Sequence, residues 1–183
     1  MRTTVKILLL IAIFISQACV KYNPPKRPQH KQKYDKQLEE MNKKLVVIYQ
    51  NAIKEYIKKR GWNMDSTATG IWYGIYKGDT TAYKPQDGDQ VTVAYTLELI
   101  NGKTCYNYDP AHAITFTVNH SEVLIGLNDV IQYIPEGCSA HVIIPPYFAY
   151  GIPGDGKCVP RNAIVVLDLH LLNVQKAKSN QSH

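Results

Sequence analysis

The chain has 183 residues, 45% of them apolar, which is enough to bury one sizeable core and too little for two once any targeting segment is set aside. The formal net charge of +6 comes from 21 basic against 15 acidic side chains, and its excess lies upstream, in Arg2 and Lys6 and between Lys21 and Arg60. The remaining body is nearly balanced, which argues against a nucleic-acid groove lined by a basic stripe.

Residues 1–18 read as an export signal: basic Arg2 and Lys6, an apolar run from Ile7 to Ile15, then Ser16, Gln17 and Ala18 ahead of Cys19. Nine apolar residues rise only about 14 Å as a helix, against a hydrocarbon core of roughly 30 Å, so a spanning anchor is not expected. The small residues before Cys19 resemble the lipobox of bacterial lipoproteins, with Ser16 in place of the usual leucine, and this makes Cys19 the candidate lipidated residue. Simple cleavage after Ala18 is the alternative, since Ser16-Gln17-Ala18 also fits a small-x-small rule.

Residues 19–33 are polar, basic and proline-bearing ("VKYNPPKRPQHKQ" for Val20 to Gln32) and read as a solvated tether, reaching roughly 40 Å at about 3.1 Å per residue. Residues 34–61 then turn helical. Leu38, Met41, Leu45, Tyr49, Ala52 and Tyr56 recur every three or four positions, and Val46, Ile48, Ile53 and Ile57 widen the stripe. Lys58, Lys59 and Arg60 suit the negative end of the helix dipole, and Gly61 is a natural stop. The stripe can pack on its own domain or pair with a second copy of the chain as a short coiled coil; both outcomes are open.

After Gly70 the alternation changes to a period of two: Val91, Val93, Tyr95, Leu97 and Leu99, then the turn pair Asn101-Gly102, then Ile114, Phe116 and Val118, and finally Val165, Leu167, Leu169 and Leu171. Leu127, Val130, Ile131 and Ile134 follow helical spacing, and Pro135 with Gly137 ends that short helix. The class is α+β: antiparallel strands with one short helix on the sheet, over residues 70–175, followed by a polar tail at 176–183. The stretch "IPPYFAYGIPGDG", Ile144 to Gly156, puts three aromatics, three prolines and three glycines into a loop, an unusual concentration of apolar surface outside regular structure.

The segments "VTVAYTLELINGK", "SEVLIGLNDVIQYIPEG", "SAHVIIPPYFAYG" and "VPRNAIVVLDLHLL" resemble, in that order, the FK506-binding-protein (FKBP) family of peptidyl-prolyl cis-trans isomerases, over about Ile71 to Val174. The "YFAYG" and "VP-x-NA" to "LDL" portions carry most of that resemblance. Leader, tether and helix are also similar to exported, membrane-tethered bacterial members, including Bacteroidetes lipoproteins of the gliding-motility-associated type. The resemblance implies a twisted antiparallel sheet wrapping a short helix, with an aromatic-lined pocket that takes a proline ring and needs no cofactor and no metal.

Carried over by position, Tyr95, Tyr150 and Leu167 would be the catalytic set, with Tyr150 offering its hydroxyl to the carbonyl beside the proline. Cys105, Tyr106, Ile114, Val123, Leu124, Leu127, Cys158 and Val159 would line the substrate site, the Leu124 amide meeting a substrate carbonyl and Leu127 forming the floor. The chain departs from the pattern where Phe-Asp becomes Cys105-Tyr106, where a pocket phenylalanine becomes Ile114, and where the floor tryptophan becomes Leu127. Loss of one polar contact and some aromatic area implies a cost on the order of 1 to 3 kcal/mol, hence a weak isomerase, with Asp109 a candidate substitute for the missing carboxylate.

By the family's layout Cys105 and Cys158 would face each other at the pocket rim. A disulfide there would staple and narrow the pocket if the Cα atoms lie within roughly 7 Å; free thiols at Cys105, Cys138 and Cys158 are the alternative. His112, His120, His141 and His170 read as surface or strand-face residues, Tyr73, Tyr76, Tyr83 and Tyr108 as strand and loop formers, and Asp168 as a solvated strand residue. Two functions stand: an isomerase held at a bacterial membrane by an N-terminal lipid and facing the periplasm, assisting the folding of exported proteins, and a weak or inactive FKBP-fold chaperone or scaffold. Expected partners are proline-containing or unfolded polypeptide, the membrane and a second copy through the helix, with no nucleic acid.

Overall fold

The computed structural model describes residues 29–177. The expected leader at 1–18, the lipidation candidate Cys19, the tether up to residue 28 and the end of the polar tail lie outside the described residues. The chain divides into two compact units, residues 1–42 and 43–183.

Helix α1 (Gln29–Arg60) belongs to the first unit up to residue 42 and to the second from Lys43 onward. It starts five residues before the expected boundary at Tyr34, inside the segment read as tether. The reason is local: Pro28 is the last proline of the tether segment, and "QHKQK" beyond it holds nothing that breaks a helix. In the first unit Tyr34, Leu38 and Met41 are exposed. The helix ends as expected, with the Gly61 and Trp62 amides donating to the Lys58 and Ile57 carbonyls. Among the described residues no helix is long and apolar enough to cross a membrane.

The second unit is built on a seven-stranded sheet: β1 (Asp65–Ser66), β2 (Trp72–Lys77), β3 (Gln90–Leu99), β4 (Thr104–Tyr108), β5 (Ile114–Thr117), β6 (Ser139–Ile144) and β7 (Val165–Gln175). The order is β1-β2-β6-β7-β3-β4, and all pairs are antiparallel. One edge of β3 is shared, with β5 along its first half and β4 along its second. Leu172 is the extra residue where β7 slips against β3, between the pairs Thr92↔Asn173 and Val93↔Leu171.

The period of two sorts the side chains into two cores. Val91, Val93, Leu97, Ala140, Val142, Ile144, Val165, Leu167, Leu169 and Leu171 point to the face that carries the short helix α2 (Ile125–Val130), and pack there against Leu127, Val130, Ile131 and Ile134. Gly126 permits the close approach of that helix, because a Cβ there would fall 2.4 Å from Ile144 Cγ2 and 3.0 Å from the Phe148 carbonyl oxygen. The architecture is therefore the one the resemblance implies, an antiparallel sheet holding a short helix.

The opposite face has its own core. Ile143, Ile164 and Val166 meet Ile53 of α1, with Tyr49, Tyr56, Ile57, Trp62 and Trp72 around them. So the second half of the α1 stripe packs in cis, while Leu45, Val46, Val47 and Ile48 remain exposed. Gln50 latches the helix in place: its amide donates to the Gly70 carbonyl at 2.8 Å and to the Tyr147 hydroxyl at 3.2 Å, and its oxygen accepts the Trp72 indole N–H at 2.8 Å.

On this face His141 lies between Trp62 and Tyr76, with ring centroids 3.9 and 4.4 Å away, and the Tyr76 hydroxyl donates to Asp168 at 2.6 Å. Desolvation by burial lowers the His141 pKa below 6.5; nearby Asp168 opposes that shift and Arg60 adds to it. A histidine whose folded pKa is depressed binds its proton more readily when unfolded, so its contribution to stability falls as pH drops below about 6.5 and levels off below the folded value. Thermal unfolding measured at about pH 7.5 and about pH 5 should show this loss, and His141→Phe, which keeps the stacking and removes the titration, should reduce it. An unchanged pH dependence in that variant would show that the sandwiched ring does not carry the effect.

Candidate active site

Register explains why the site residues converge. Tyr95 pairs with Tyr108 of β4 and Leu169 of β7, and Leu97 with Tyr106 and Leu167, so these side chains share the face that carries α2. Ile114 of β5 pairs with Val93 on the same face. Leu127, Val159 and Leu167 form a buried apolar floor, exposed by 1%, 2% and 1%. Tyr95, Cys105, Tyr106, Ile114, Val123, Leu124 and Tyr150 pack on that core half-buried. All the residues expected at the site thus belong to one cluster, with Cys158 joined to it through sulfur.

The loop between β6 and β7 closes the arrangement. Pro146–Phe148 forms a single 3-10 turn, and the Gly151 amide returns to the Pro146 carbonyl at 2.8 Å while its own carbonyl accepts the Asn162 amide at 2.9 Å. Tyr150 is held between those bonds. Further on, Asp155 Oδ1 accepts the amides of Lys157, Cys158 and Val159 at 2.9, 3.0 and 2.8 Å, and its Oδ2 accepts the Tyr106 hydroxyl. Gly154 has φ 69°, and a Cβ there would meet the Val159 carbonyl oxygen at 2.5 Å, so this tight turn admits only glycine. Cys105 and Cys158 are disulfide-bonded with Cα atoms 5.5 Å apart, while Cys138 is a free thiol buried in the core.

Electrostatics keep the phenols protonated. Burial pushes the Tyr95 hydroxyl well above its ordinary value, with Tyr108 and Tyr150 adding to the shift. Tyr150 is raised by burial and then by the Asp155 charge and Tyr108. The hydrogen bond to Asp155 is the largest cause raising Tyr106 to about 12. Partial burial opposes ionisation of Asp155, yet the bonds from Tyr106 and the Lys157, Val159 and Cys158 amides outweigh it and hold the carboxyl below its usual range. Among the described residues no acceptor takes the Tyr150 hydroxyl or the Leu124 amide, which stands just ahead of α2. Both, like the Tyr95 hydroxyl, are free donors on residues packed against the apolar floor.

Two readings need correction. Asp109 does not replace the missing carboxylate: its Oδ1 caps the 3-10 turn Pro110–His112, accepting the Ala111 and His112 amides at 3.0 Å, and also contacts the His112 ring. Tyr108 is more than a strand former, since its ring lies 4.9 Å from that of Tyr95 and 6.4 Å from that of Tyr106. Asp155 was missed altogether. The signal was available in "PGDGK", where an aspartate between glycines reads as the head of an Asx turn. A groove of about 690 Å³ adjoins the site at Val123 and Phe148 and continues past Ser121, Glu122 and Ile125.

The bridge closes a sequence separation of 53 residues, and in the chain-entropy account a loop of that size stabilises the fold by about 4 kcal/mol. Non-reducing peptide mapping should recover Cys105 and Cys158 in one linked fragment and Cys138 as a thiol that alkylates only after denaturation. Separate, unlinked Cys105 and Cys158 peptides from oxidised protein would contradict the observed pairing.

Comparison with known proteins bears on the same residues. The family model described as FKBP-type peptidyl-prolyl cis-trans isomerase matches residues 81–172, which include every site residue named above. The chain is 34% identical over 154 residues to an FKBP-type peptidyl-prolyl cis-trans isomerase FkpA from Aeromonas hydrophila, covering 79% of this chain and 55% of that one. It is 33% identical over 102 residues to the peptidyl-prolyl cis-trans isomerase Fkbp12 of Drosophila melanogaster, covering 55% of this chain and 94% of that one. The crystal structure of FkpA from Escherichia coli aligns with a TM-score of 0.59 at 26% identity, over 94% of this chain and 83% of that chain. The chain spans only about half the length of the Aeromonas relative. The family model covers half of the chain, and the chain belongs to the FKBP-type peptidyl-prolyl cis-trans isomerase family.

Proposed function

We propose that this protein is a peptidyl-prolyl cis-trans isomerase acting on exported polypeptides. The observation that carries the reading is the pair of free donors, the Tyr150 hydroxyl and the Leu124 amide, beside the buried floor of Leu127, Val159 and Leu167. Rotation about an X-Pro bond meets a barrier of about 18 to 20 kcal/mol because amide resonance must be broken. A planar amide is strongly polar and a twisted one much less so, and an apolar floor therefore penalises the ground state more than the transition state. In this reading the Leu124 amide holds one substrate carbonyl, and Tyr150, kept protonated, donates to the carbonyl beside the proline. No charged intermediate forms, and the reaction asks for no group other than these.

The N-terminal reading supports an envelope location. The basic and apolar start, the small residues before Cys19 and the basic segment that follows fit an exported chain anchored by lipid at Cys19 and facing the periplasm. Mass spectrometry of the mature N-terminus should show an acylated Cys19, and a free amine there would end the lipoprotein reading. The exposed Leu45, Val46, Val47 and Ile48 of α1 support pairing with a second copy of the chain. Static light scattering should give twice the chain mass, falling to one when residues 34–48 are removed; an unchanged mass would dismiss the pairing.

A second reading is favoured by a specific feature. Ile125, Tyr147 and Ile152 are exposed around the site, Ile152 by 66%, and such a rim can hold unfolded chain without turnover. A protease-coupled assay on X-Pro peptides separates the two readings. The isomerase reading expects measurable acceleration by the mature protein and a loss of about tenfold in kcat/KM for Tyr150→Phe, the size of one hydrogen bond made in the transition state. No acceleration by folded protein would leave only the binding reading.

A further inference from the structure

We infer that Asp155 is a positioning residue of the proline site, a carboxylate supplied from the β6–β7 loop in place of the one the family pattern puts at Tyr106. The inference rests on the isomerase reading for its kinetic consequence, and on geometry for its structural one. Two neighbouring residues of β4 are tied to the same short loop: Cys105 by sulfur to Cys158, and Tyr106 by its hydroxyl to Asp155. Asp155 is the hub of the second tie. It gathers three consecutive loop amides on one oxygen and the phenol on the other, and its own amide donates to the Val159 carbonyl at 3.1 Å. Val159 is one of the three floor residues, so the carboxylate sets both a wall of the site and the tyrosine that faces it.

The disulfide alone does not do this. It fixes Cys158 relative to Cys105 but leaves Lys157 and Val159 free to turn, and it places no constraint on the Tyr106 ring. Tyr150, by contrast, is held by separate bonds through Gly151, Pro146 and Asn162. Loss of Asp155 should therefore raise the ordering cost met when a peptide binds, and should leave the donor used in the transition state where it is. The signature is a rise in KM and in the peptide dissociation constant with kcat nearly unchanged, which a general loss of folded protein does not produce.

The test uses the mature chain, oxidised, with a Leu-Pro peptide as probe, and follows kcat, KM, the peptide dissociation constant and amide hydrogen exchange at Lys157, Cys158 and Val159. Asp155→Ala should raise KM and the dissociation constant about tenfold, keep kcat within about twofold and speed exchange at the three amides. Asp155→Asn, which retains an oxygen for those amides, should restore their protection and part of the affinity. Tyr106→Phe should weaken binding less, leave the three amides protected, and add nothing in the Asp155→Ala background. An unchanged dissociation constant in Asp155→Ala, a fall in kcat at constant KM, or additive effects of the two substitutions would overturn the assignment. A wild type that binds the peptide without turning it over defeats the isomerase reading alone, because the affinities and exchange rates still decide the role of Asp155.

Discussion

The structure depends on one loop being held down. Between β6 and β7 the chain leaves the sheet for twenty residues, 145–164, and must return with Tyr150 and Val159 over the face that carries α2. A loop of that length ordinarily costs conformational entropy that apolar contact alone does not recover. Here the cost is offset by the Cys105–Cys158 bridge, the four bonds received by Asp155, and the Gly151 and Asn162 bonds around Tyr150. The site exists because those ties hold aromatic and aliphatic groups beside donors that are left unpaired.

The opposite face of the same sheet serves a different purpose. Alternate residues of β6 and β7 meet Ile53 and its neighbours on α1, so the sheet is covered on both sides. Gln50 connects that layer to the loop between β6 and β7 through Tyr147, two residues before Ala149 and three before Tyr150. The helix is thereby more than a spacer: its second half is part of the domain's support, while Leu45, Val46, Val47 and Ile48 ahead of it remain exposed.

Much of this was legible in the sequence. Val91 to Leu99, Ile114 to Val118 and Val165 to Leu171 alternate because one phase of each strand meets the α2 core, which set Tyr95 in phase with Val93 and Leu97 and Leu167 in phase with Val165 and Leu169; that the two phases share a side came from the family resemblance. Leu127, Val130, Ile131 and Ile134 declared the short helix in the same way. What periodicity does not reveal is pairing between distant loops. The tie from Tyr106 to Asp155 joins positions 49 residues apart, and nothing local distinguishes Asp155 from a solvated turn aspartate except its flanking glycines. Asp109 shows the converse, since a nearby carboxylate considered for the pocket is taken up locally as a 3-10 cap. The start of α1 was misplaced for a related reason: a polar segment without proline is compatible with either tether or helix, and α1 in fact begins at Gln29.

The most direct test of the account is a nuclear magnetic resonance titration of the labelled mature protein with an X-Pro peptide. The account predicts shifts centred on the Leu124 amide, the Tyr95 and Tyr150 rings and the methyl groups of Leu127, Val159 and Leu167, together with accelerated exchange between the cis and trans signals of the peptide. Shifts confined to the outer layer around Ile53, Trp62 and His141, or a peptide whose two isomers interconvert no faster in the presence of protein, would contradict it.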